Sequence, residues 1–344
     1  MKTEITAGIT TFMTMAYIVF VNPAILKGAG IPPEGSVVAT CVVAGTMTLL
    51  MGLWARYPFA IAPGMGINAI VVYTMVQGMK LPWEVAMGAI VAEGILATLL
   101  VVSRLREVIM DAIPMPLKHA IGVGIGLFIS LIGLVEGGMI TSNQATIIGI
   151  GPLSEPYVWV TLGGLLITSV LVVLQIRGGI LLGILATAGL AVPVGVIPRP
   201  ERVVSLPSDF STFFRFDLIG ALQPALLPLI FGLFMTDFFD TMGTVIGVSE
   251  EAGFLDSAGR LPRLRRVLLI DSLSAVAGGM VGSSSATTYI ESAAGVSEGG
   301  RTGLASVVTG GLFFLALFFT PLVSVVAGGY PVGEGEVLHP VTAP

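Results

Sequence analysis

Apolar stretches separated by short polar or glycine-rich segments run through most of this 344-residue chain. A helix needs about 20 mostly apolar residues to cross the hydrocarbon core of a bilayer. The pattern predicts eleven spans, near residues 8–26, 36–54, 59–78, 84–102, 118–136, 158–175, 179–197, 222–247, 267–284, 287–300 and 302–320. A twelfth stretch begins near Pro321 and ends in glycines and a polar tail. We therefore predict an all-α polytopic membrane protein, with the lipid bilayer as its first partner.

The composition excludes several other classes of protein. Charged residues make up 11% of the chain, against about 25% in an ordinary soluble domain, and the mean hydropathy is +0.96. So few charges cannot cover a globular surface, which excludes a soluble enzyme. The net charge of −5 and the lack of a basic stripe exclude a nucleic-acid binder. One cysteine and two histidines exclude a Cys-based or His-rich metal site.

The distribution of Lys and Arg predicts the orientation in the membrane. With the N-terminus in the cytoplasm, 11 of the 16 basic residues fall on the cytoplasmic side and 5 outside. The longest cytoplasmic loop, residues 250–266, holds four arginines, whereas the outer loop 137–157 holds no Lys or Arg. Cytoplasmic loops carry the excess of positive charge. We expect a multi-pass protein of the cell membrane with a cytoplasmic N-terminus.

Two irregular spans point to an internal repeat. Phe-Met-Thr occurs at 12–14 and again at 234–236, an offset of 222 that also carries the third span close to the tenth. The third span begins with a Pro-Gly break at 62–68, and the tenth begins with the polar, strand-prone run 283–291. Irregular backbone is tolerated at membrane depth only where protein buries it or it lines a cavity. Paired interruptions of this kind indicate a transporter's binding site, and an odd number of spans per repeat predicts inverted copies.

Five acids fall within the predicted spans: Glu93, Asp237, Asp240, Asp271 and Glu291. No Lys or Arg lies mid-span to neutralise them, which favours protonation or cation coupling. Asp237 and Asp240 are three residues apart and hence neighbours on one helical face. Each acid has a structural alternative: backbone or Thr capping for Asp237 and Asp240, an interfacial ion pair for Asp271, a helix N-terminal acid for Glu291 and helix–helix hydrogen bonding for Glu93.

Polar and aromatic side chains near the breaks suit a planar ligand. The amide of Asn68 can donate and accept in one plane, as it does on the edge of a nucleobase; the alternative is a helix cap. Tyr289, Phe238 and Phe239 could stack on a ring, although aromatic residues in membrane helices usually serve packing. The turn at 298–301 reads as structural, with an ion pair at the interface.

These motifs resemble the nucleobase–cation symporter-2 family, in its azaguanine-resistance-type branch of purine permeases. The similarity extends from about residue 4 to Pro321, and the signatures of the third and tenth spans are long and specific. The matching segments are 7–12, Asn22-Pro23, 62–69, 239–244, 287–296 and 298–304.

The resemblance implies a uracil-permease-like fold of two inverted seven-span repeats, with short strands in spans 3 and 10. In this fold a core carries substrate past a gate in an elevator-like motion. The core would be residues 1–117 (spans 1–4) and 222–320 (spans 8–11). The first gate segment would be 118–221 (spans 5–7), and 321–344 would be the truncated start of the second. Family members continue through three more spans, so we expect this chain to be C-terminally truncated. They typically form dimers through the gate.

The resemblance also implies a site and a function: proton-coupled import of adenine, guanine or hypoxanthine, with H⁺ and no cofactor. Asp240 and Glu291 would contact the purine and take part in proton coupling. Asn68, Thr288, Tyr289 and Phe239 complete the expected substrate site, and Asp237 and Asp271 the expected coupling groups. Alternatives are a uracil, xanthine or anion carrier of the same fold, or a non-transporting truncated paralogue. The chain offers no nucleophile–base pair, so an enzyme is not expected.

Overall fold

The computed structural model describes residues 1–105, 115–143, 147–199, 202–257, 260–331 and 337–338. Most of these residues are helical. The first predicted span corresponds to two consecutive helices, and the others correspond to a helix or to a strand followed by a short helix. The helices are α1 (Lys2–Met15), α2 (Ile18–Lys27), α3 (Pro33–Leu50), α4 (Met65–Ala69), α5 (Trp83–Val102), α6 (Met115–Glu136), α7 (Pro156–Val173), α8 (Gly179–Val194), α9 (Leu218–Ala221), α10 (Leu227–Ala252), α11 (Leu264–Val281), α12 (Ser292–Ser297), α13 (Gly303–Ala316) and α14 (Thr320–Gly328).

Short strands and irregular turns complete the chain. The strands are β1 (Ile61–Pro63), β2 (Ile140–Asn143), β3 (Ile147–Ile150), β4 (Ala286–Thr288), β5 (Tyr330–Pro331) and β6 (Val337–Leu338). α3 continues as π-helix over Met51–Ala55, and α4 does so over Ile70–Gly78. In the described residues, six helical segments are long and apolar enough to cross a membrane, and two further apolar segments are shorter. The first predicted span is not one unbroken helix, since α1 ends at Met15 and α2 begins at Ile18.

The strands predicted in the third and tenth spans are confirmed, and they pair with each other. β1 and β4 are antiparallel, with Ile61 opposite Thr288 and Pro63 opposite Ala286. An antiparallel pair has a local two-fold axis, as two inverted repeats require. The strands correspond at an offset of 225, from Ile61 to Ala286, rather than the 222 of the tripeptide match. Between the tripeptide of the first helix and the strand, the second repeat is therefore three residues longer than the first.

Side chains of neighbouring helices bond the outer edges of this two-stranded sheet. Unpaired backbone groups at membrane depth are costly. Thr48 on α3 binds both the N–H of Ile61 (2.9 Å) and its carbonyl (3.1 Å). On the other edge, Ser274 donates to the carbonyl of Ala286 (2.6 Å) and Asp271 accepts from the N–H of Thr288 (2.9 Å). These bonds let a sheet of only two strands persist inside the bundle.

Glycines let the helices around the sheet approach closely. A Cβ on Gly303 of α13 would overlap the carbonyl oxygen of Gly52, and a Cβ on Gly52 would overlap that of Gly303. A Cβ on Gly94 of α5 would lie 2.6 Å from the backbone nitrogen of Val276 on α11. Small residues at such crossings are typical of membrane helix packing. They account for part of the high glycine content, 45 of 344 residues.

A second group of helices, α6 to α8, lies beside this bundle. α7 and α8 pack through small residues, with Gly164 against Thr187 and Gly183 against Thr168. Their buried side chains, including Tyr157 and Ile184, share one apolar cluster with Met15 and Tyr17 of the first span. The substrate-site candidates therefore lie in one bundle, with a separate layer packed against it.

Candidate functional site

Glu291 lies where the second half-helix begins and borders a cavity. It is the residue before α12 and is partly exposed. The cavity, of about 590 Å³, lies between α1, α12 and the α7–α8 turn, and it is also lined by Thr10, Thr14 and Arg177. The Glu291 carboxylate therefore faces a gap between the bundle and the second helical layer.

The two acids of α10 differ in their surroundings. Asp237 is fully buried, whereas Asp240 is exposed. The carboxylate of Asp240 interacts electrostatically with those of Glu291 and Asp271. Thus α10 brings one acid, Asp240, into the region where β4 and α12 place Glu291.

Asp271 is a buried centre of hydrogen bonds. Oδ2 accepts from the hydroxyl of Thr241 on α10 (2.7 Å), and Oδ1 accepts from the hydroxyl (3.0 Å) and the N–H (2.9 Å) of Thr288. The hydroxyl of Thr287 lies 3.4 Å from Oδ1 and 2.9 Å from that of Thr241. The carboxylate therefore ties α10 and β4 to α11. The hydrogen bonds shown here come from threonines of α10 and β4.

Asn68 belongs to a neutral polar network on the first half of the site. Its side chain is fully buried, and Nδ2 donates to Oδ1 of Asn22 on α2. Asn22 in turn donates to the hydroxyl of Thr40 on α3 (2.7 Å) and to the carbonyl of Ser283 (3.3 Å). Oδ1 of Asn68 has no hydrogen-bond partner among the described residues. It is therefore a buried acceptor that the described residues leave unsatisfied.

The other predicted substrate contacts are hydrogen-bonded or packed within the protein. Tyr289 is 7% exposed, and its hydroxyl donates to the carbonyl of Pro63 across the strand pair. The hydroxyl of Thr288 is donated to Asp271. Phe239 is partly buried and packs edge-on against the buried Phe238. Of these three side chains, that of Phe239 is the most exposed.

The two remaining sequence candidates have structural contacts. Ser285 donates weakly to Glu93 (3.5 Å), which links α5 to the loop before β4. The turn 298–301 contains an ion pair, but its partners are Glu298 and Arg177 of the α7–α8 turn. Arg301 instead donates to carbonyls at the end of α12, including that of Gly300 (2.8 Å).

Sequence reasoning did not single out several residues that the fold brings to the site. Tyr17 donates to Oε1 of Glu291 (2.5 Å), Asn22 holds Asn68, and Thr241 and Thr287 surround Asp271. Asn22 stood within the Asn-Pro motif as a polar residue in an apolar span, and Thr241 and Thr287 stood within the matching segments 239–244 and 287–296. No local pattern marks Tyr17.

Comparison with known proteins matches the chain to a family. The family model described as Permease family, Xan_ur_permease, matches residues 2–330. The chain belongs to the nucleobase–cation symporter-2 family. It is 46% identical to permease MJ0326 of Methanocaldococcus jannaschii over 327 residues, which cover 95% of this chain and 75% of that relative.

Relatives with named substrates are nearly as similar. The adenine permease AdeP of Escherichia coli is 42% identical, covering 95% of this chain and 74% of its own. The guanine/hypoxanthine permease PbuG of Bacillus subtilis is 41% identical, over 94% of this chain and 76% of PbuG. Its membership of a permease family makes the chain a multi-pass transporter rather than an enzyme.

Solved structures share the fold. The transmembrane domain of the cyanobacterial bicarbonate transporter BicA superposes with a TM-score of 0.73, covering 99% of this chain and 86% of that domain. SLC26A9 superposes with a TM-score of 0.65, over 99% of this chain and 56% of SLC26A9. Sequence identities are 12% and 11%, so these structures show a shared architecture alone.

Proposed function

We propose that this transporter imports purine nucleobases together with protons. The observation that carries the proposal is the meeting of two acids, Asp240 and Glu291, beside the broken half-helices. The relatives named as adenine and guanine/hypoxanthine permeases support a purine as the cargo.

The site's chemistry suits a purine. A purine edge alternates N–H donors with ring-nitrogen and carbonyl acceptors. An ionised carboxylate accepts from N–H groups, and a protonated carboxyl can also donate. The Oδ1 of Asn68 adds an acceptor, and Phe239, Tyr289 and Thr288 complete the proposed substrate contacts. The substrate contacts proposed here are carboxylates, and Arg177, which lines the same cavity, is paired with Glu298. The site therefore disfavours the anionic cargo of structural relatives such as BicA.

The coupling ion in this proposal is H⁺. Two carboxylates close together resist double ionisation, because each charge disfavours the other, so one proton accompanies the loaded state. Asp240 and Glu291 would exchange that proton. Asp237 and Asp271 are proposed to modulate it from their buried positions on α10 and α11.

We further propose that the spans predicted as core, 1–117 and 222–320, move against the gate in an elevator-like step, with 118–221 as its first segment and 321–344 as part of its second. With a cytoplasmic N-terminus, the cavity at Glu291 opens inward. Dimerisation through the gate would hold that segment still in the membrane.

Radiolabelled uptake tests the proposal in cells lacking purine permeases. Wild type should accumulate adenine, guanine or hypoxanthine, and the double variant D240A/E291A should not. The exposed Glu34 lies outside the site, so E34Q should transport as wild type does. Equal uptake by wild type and the double variant would overturn the proposal. Competition by sulfate or bicarbonate, but not by purines, would instead indicate an anion carrier.

A further inference from the structure

Tyr17 brings a hydroxyl group from the first span to the acidic half of the site. The residue is 5% exposed and lies between the end of α1 and the start of α2. Its O–H donates to Oε1 of Glu291, 274 positions away in the chain. The bond joins the first repeat to the half-helix of the second.

We propose that Tyr17 is a positioning residue that holds the Glu291 carboxylate for substrate and proton. The inference rests on the proposed function. Tyr17 holds Oε1, and the backbone N–H of Glu291 also bonds the carboxylate, so the group is fixed in place before the purine or the proton arrives. A glutamate side chain loses conformational entropy when it is ordered. Because the bond to Tyr17 orders Glu291 beforehand, the substrate does not have to do so on binding.

The other polar groups around Glu291 do not replace this donor. Tyr289 lies close enough to interact electrostatically with Glu291, but its hydroxyl is donated to Pro63. Asp240 faces the carboxylate from α10 with a like charge. Arg177 lines the same cavity but is paired with Glu298. Glu251 of α10 lines the cavity with a like charge, and the backbone N–H of Glu291 bonds its own carboxylate. Tyr17 therefore supplies the side-chain hydrogen bond that Glu291 receives within the described residues.

Removing the hydroxyl has two expected effects on transport. A donor to an ionised carboxylate stabilises the charged form, so Tyr17→Phe makes Glu291 hold its proton to higher pH. The pH at which uptake falls to half should move alkaline by about one unit. KM for the purine should rise about tenfold, because hydrogen bonds to charged groups are among the stronger ones.

Tyr73 offers a matched control. Its hydroxyl also donates to a glutamate, Glu136 on α6, at 2.7 Å, and neither residue belongs to the proposed site. Tyr73→Phe removes the same group from the same kind of bond. Its pH profile and KM should match those of wild type when uptake is normalised to the amount of protein in the membrane.

A wild-type pH profile and KM in Y17F would overturn the positioning role. Failure of wild type to take up any purine would instead overturn the proposed function. Adding Y17F to E291Q gives a further test, because a residue acting through Glu291 should change purine affinity little in that background. An equal loss of affinity in both backgrounds would contradict the inference.

A second variant, closer in structure to tyrosine, keeps the inference testable if Y17F misfolds. 3-Fluorotyrosine placed at position 17 retains the ring and the O–H but donates more strongly. The pH midpoint should then move in the acid direction, opposite to that of Y17F. An unchanged midpoint would overturn the inference.

Discussion

The two halves of the site share a backbone plan but differ in chemistry. The first half, β1 and α4, is lined by neutral groups: Asn68, Asn22 and Thr48. The second half, β4 and α12, is built around Asp271 and Glu291. An inverted repeat thus provides two equivalent strand–helix breaks, and the sequence has made only one of them acidic. We infer that the neutral half reads the substrate's hydrogen bonds, while the acidic half also handles the proton.

The largest expected effect comes from the support of the acidic strand. Asp271→Ala leaves the N–H and the hydroxyl of Thr288 without their acceptor, and it leaves the Thr241 hydroxyl with Thr287 alone. Losing buried hydrogen bonds to a charged group costs about 1.5–3 kcal/mol each, so the variant should lose uptake and much of its thermal stability. Differential scanning fluorimetry in detergent measures the stability. An unchanged Tm would show that Asp271 does not organise β4.

The corresponding substitution in the neutral half should cost less. Thr48→Val removes one hydroxyl that serves both backbone groups of Ile61. We expect a loss of about 1–3 kcal/mol in stability, with residual uptake. A Tm drop in T48V as large as in D271A would remove the contrast between the two edges.

Asn22 tests whether the neutral half reads substrate. Asn22→Leu removes the acceptor that fixes the amide of Asn68, so KM should rise about tenfold, equivalent to about 1.4 kcal/mol. Its pH profile should stay as in wild type, because no ionisable group is lost. Uptake kinetics between pH 5.5 and 8 check both expectations. A shifted pH profile in N22L would mean that proton handling extends into the neutral half.

The smallest effect is expected at the mouth of the cavity. Arg177 pairs with Glu298, but its side chain is 64% exposed, and exposed ion pairs contribute about 0–1 kcal/mol. Arg177→Gln should change initial uptake by less than about threefold. A loss as large as that of N22L would assign the pair a role in closing the cavity.

The sequence predicted the parts of this architecture that depend on local patterns. The Pro-Gly break before Asn68 and the polar run before Glu291 indicated strands and half-helices, because such segments cannot form a lipid-facing helix. The acids stood out because charge at membrane depth is costly. Asn68 was found for the same reason, as a polar residue beside a break.

Contacts between distant segments were not predictable in this way. Tyr17 lies in an apolar run where an aromatic residue normally signals packing, and its bond to Glu291 spans 274 positions. Asp271 gave no sign of its threonine partners, since Thr241 and Thr287 belong to two other elements. The three-residue change of register between the repeats appears only when the strands pair.

The central claim, that the acidic half couples purine movement to protons, is tested most directly in proteoliposomes. Purine accumulation and internal pH would be followed together under an imposed inward proton gradient, for wild type, E291Q and N22L. The account predicts that wild type and N22L acidify the lumen as purine enters, and that E291Q loses gradient-driven accumulation. Purine accumulation by wild type without acidification, or unchanged gradient dependence in E291Q, would contradict it.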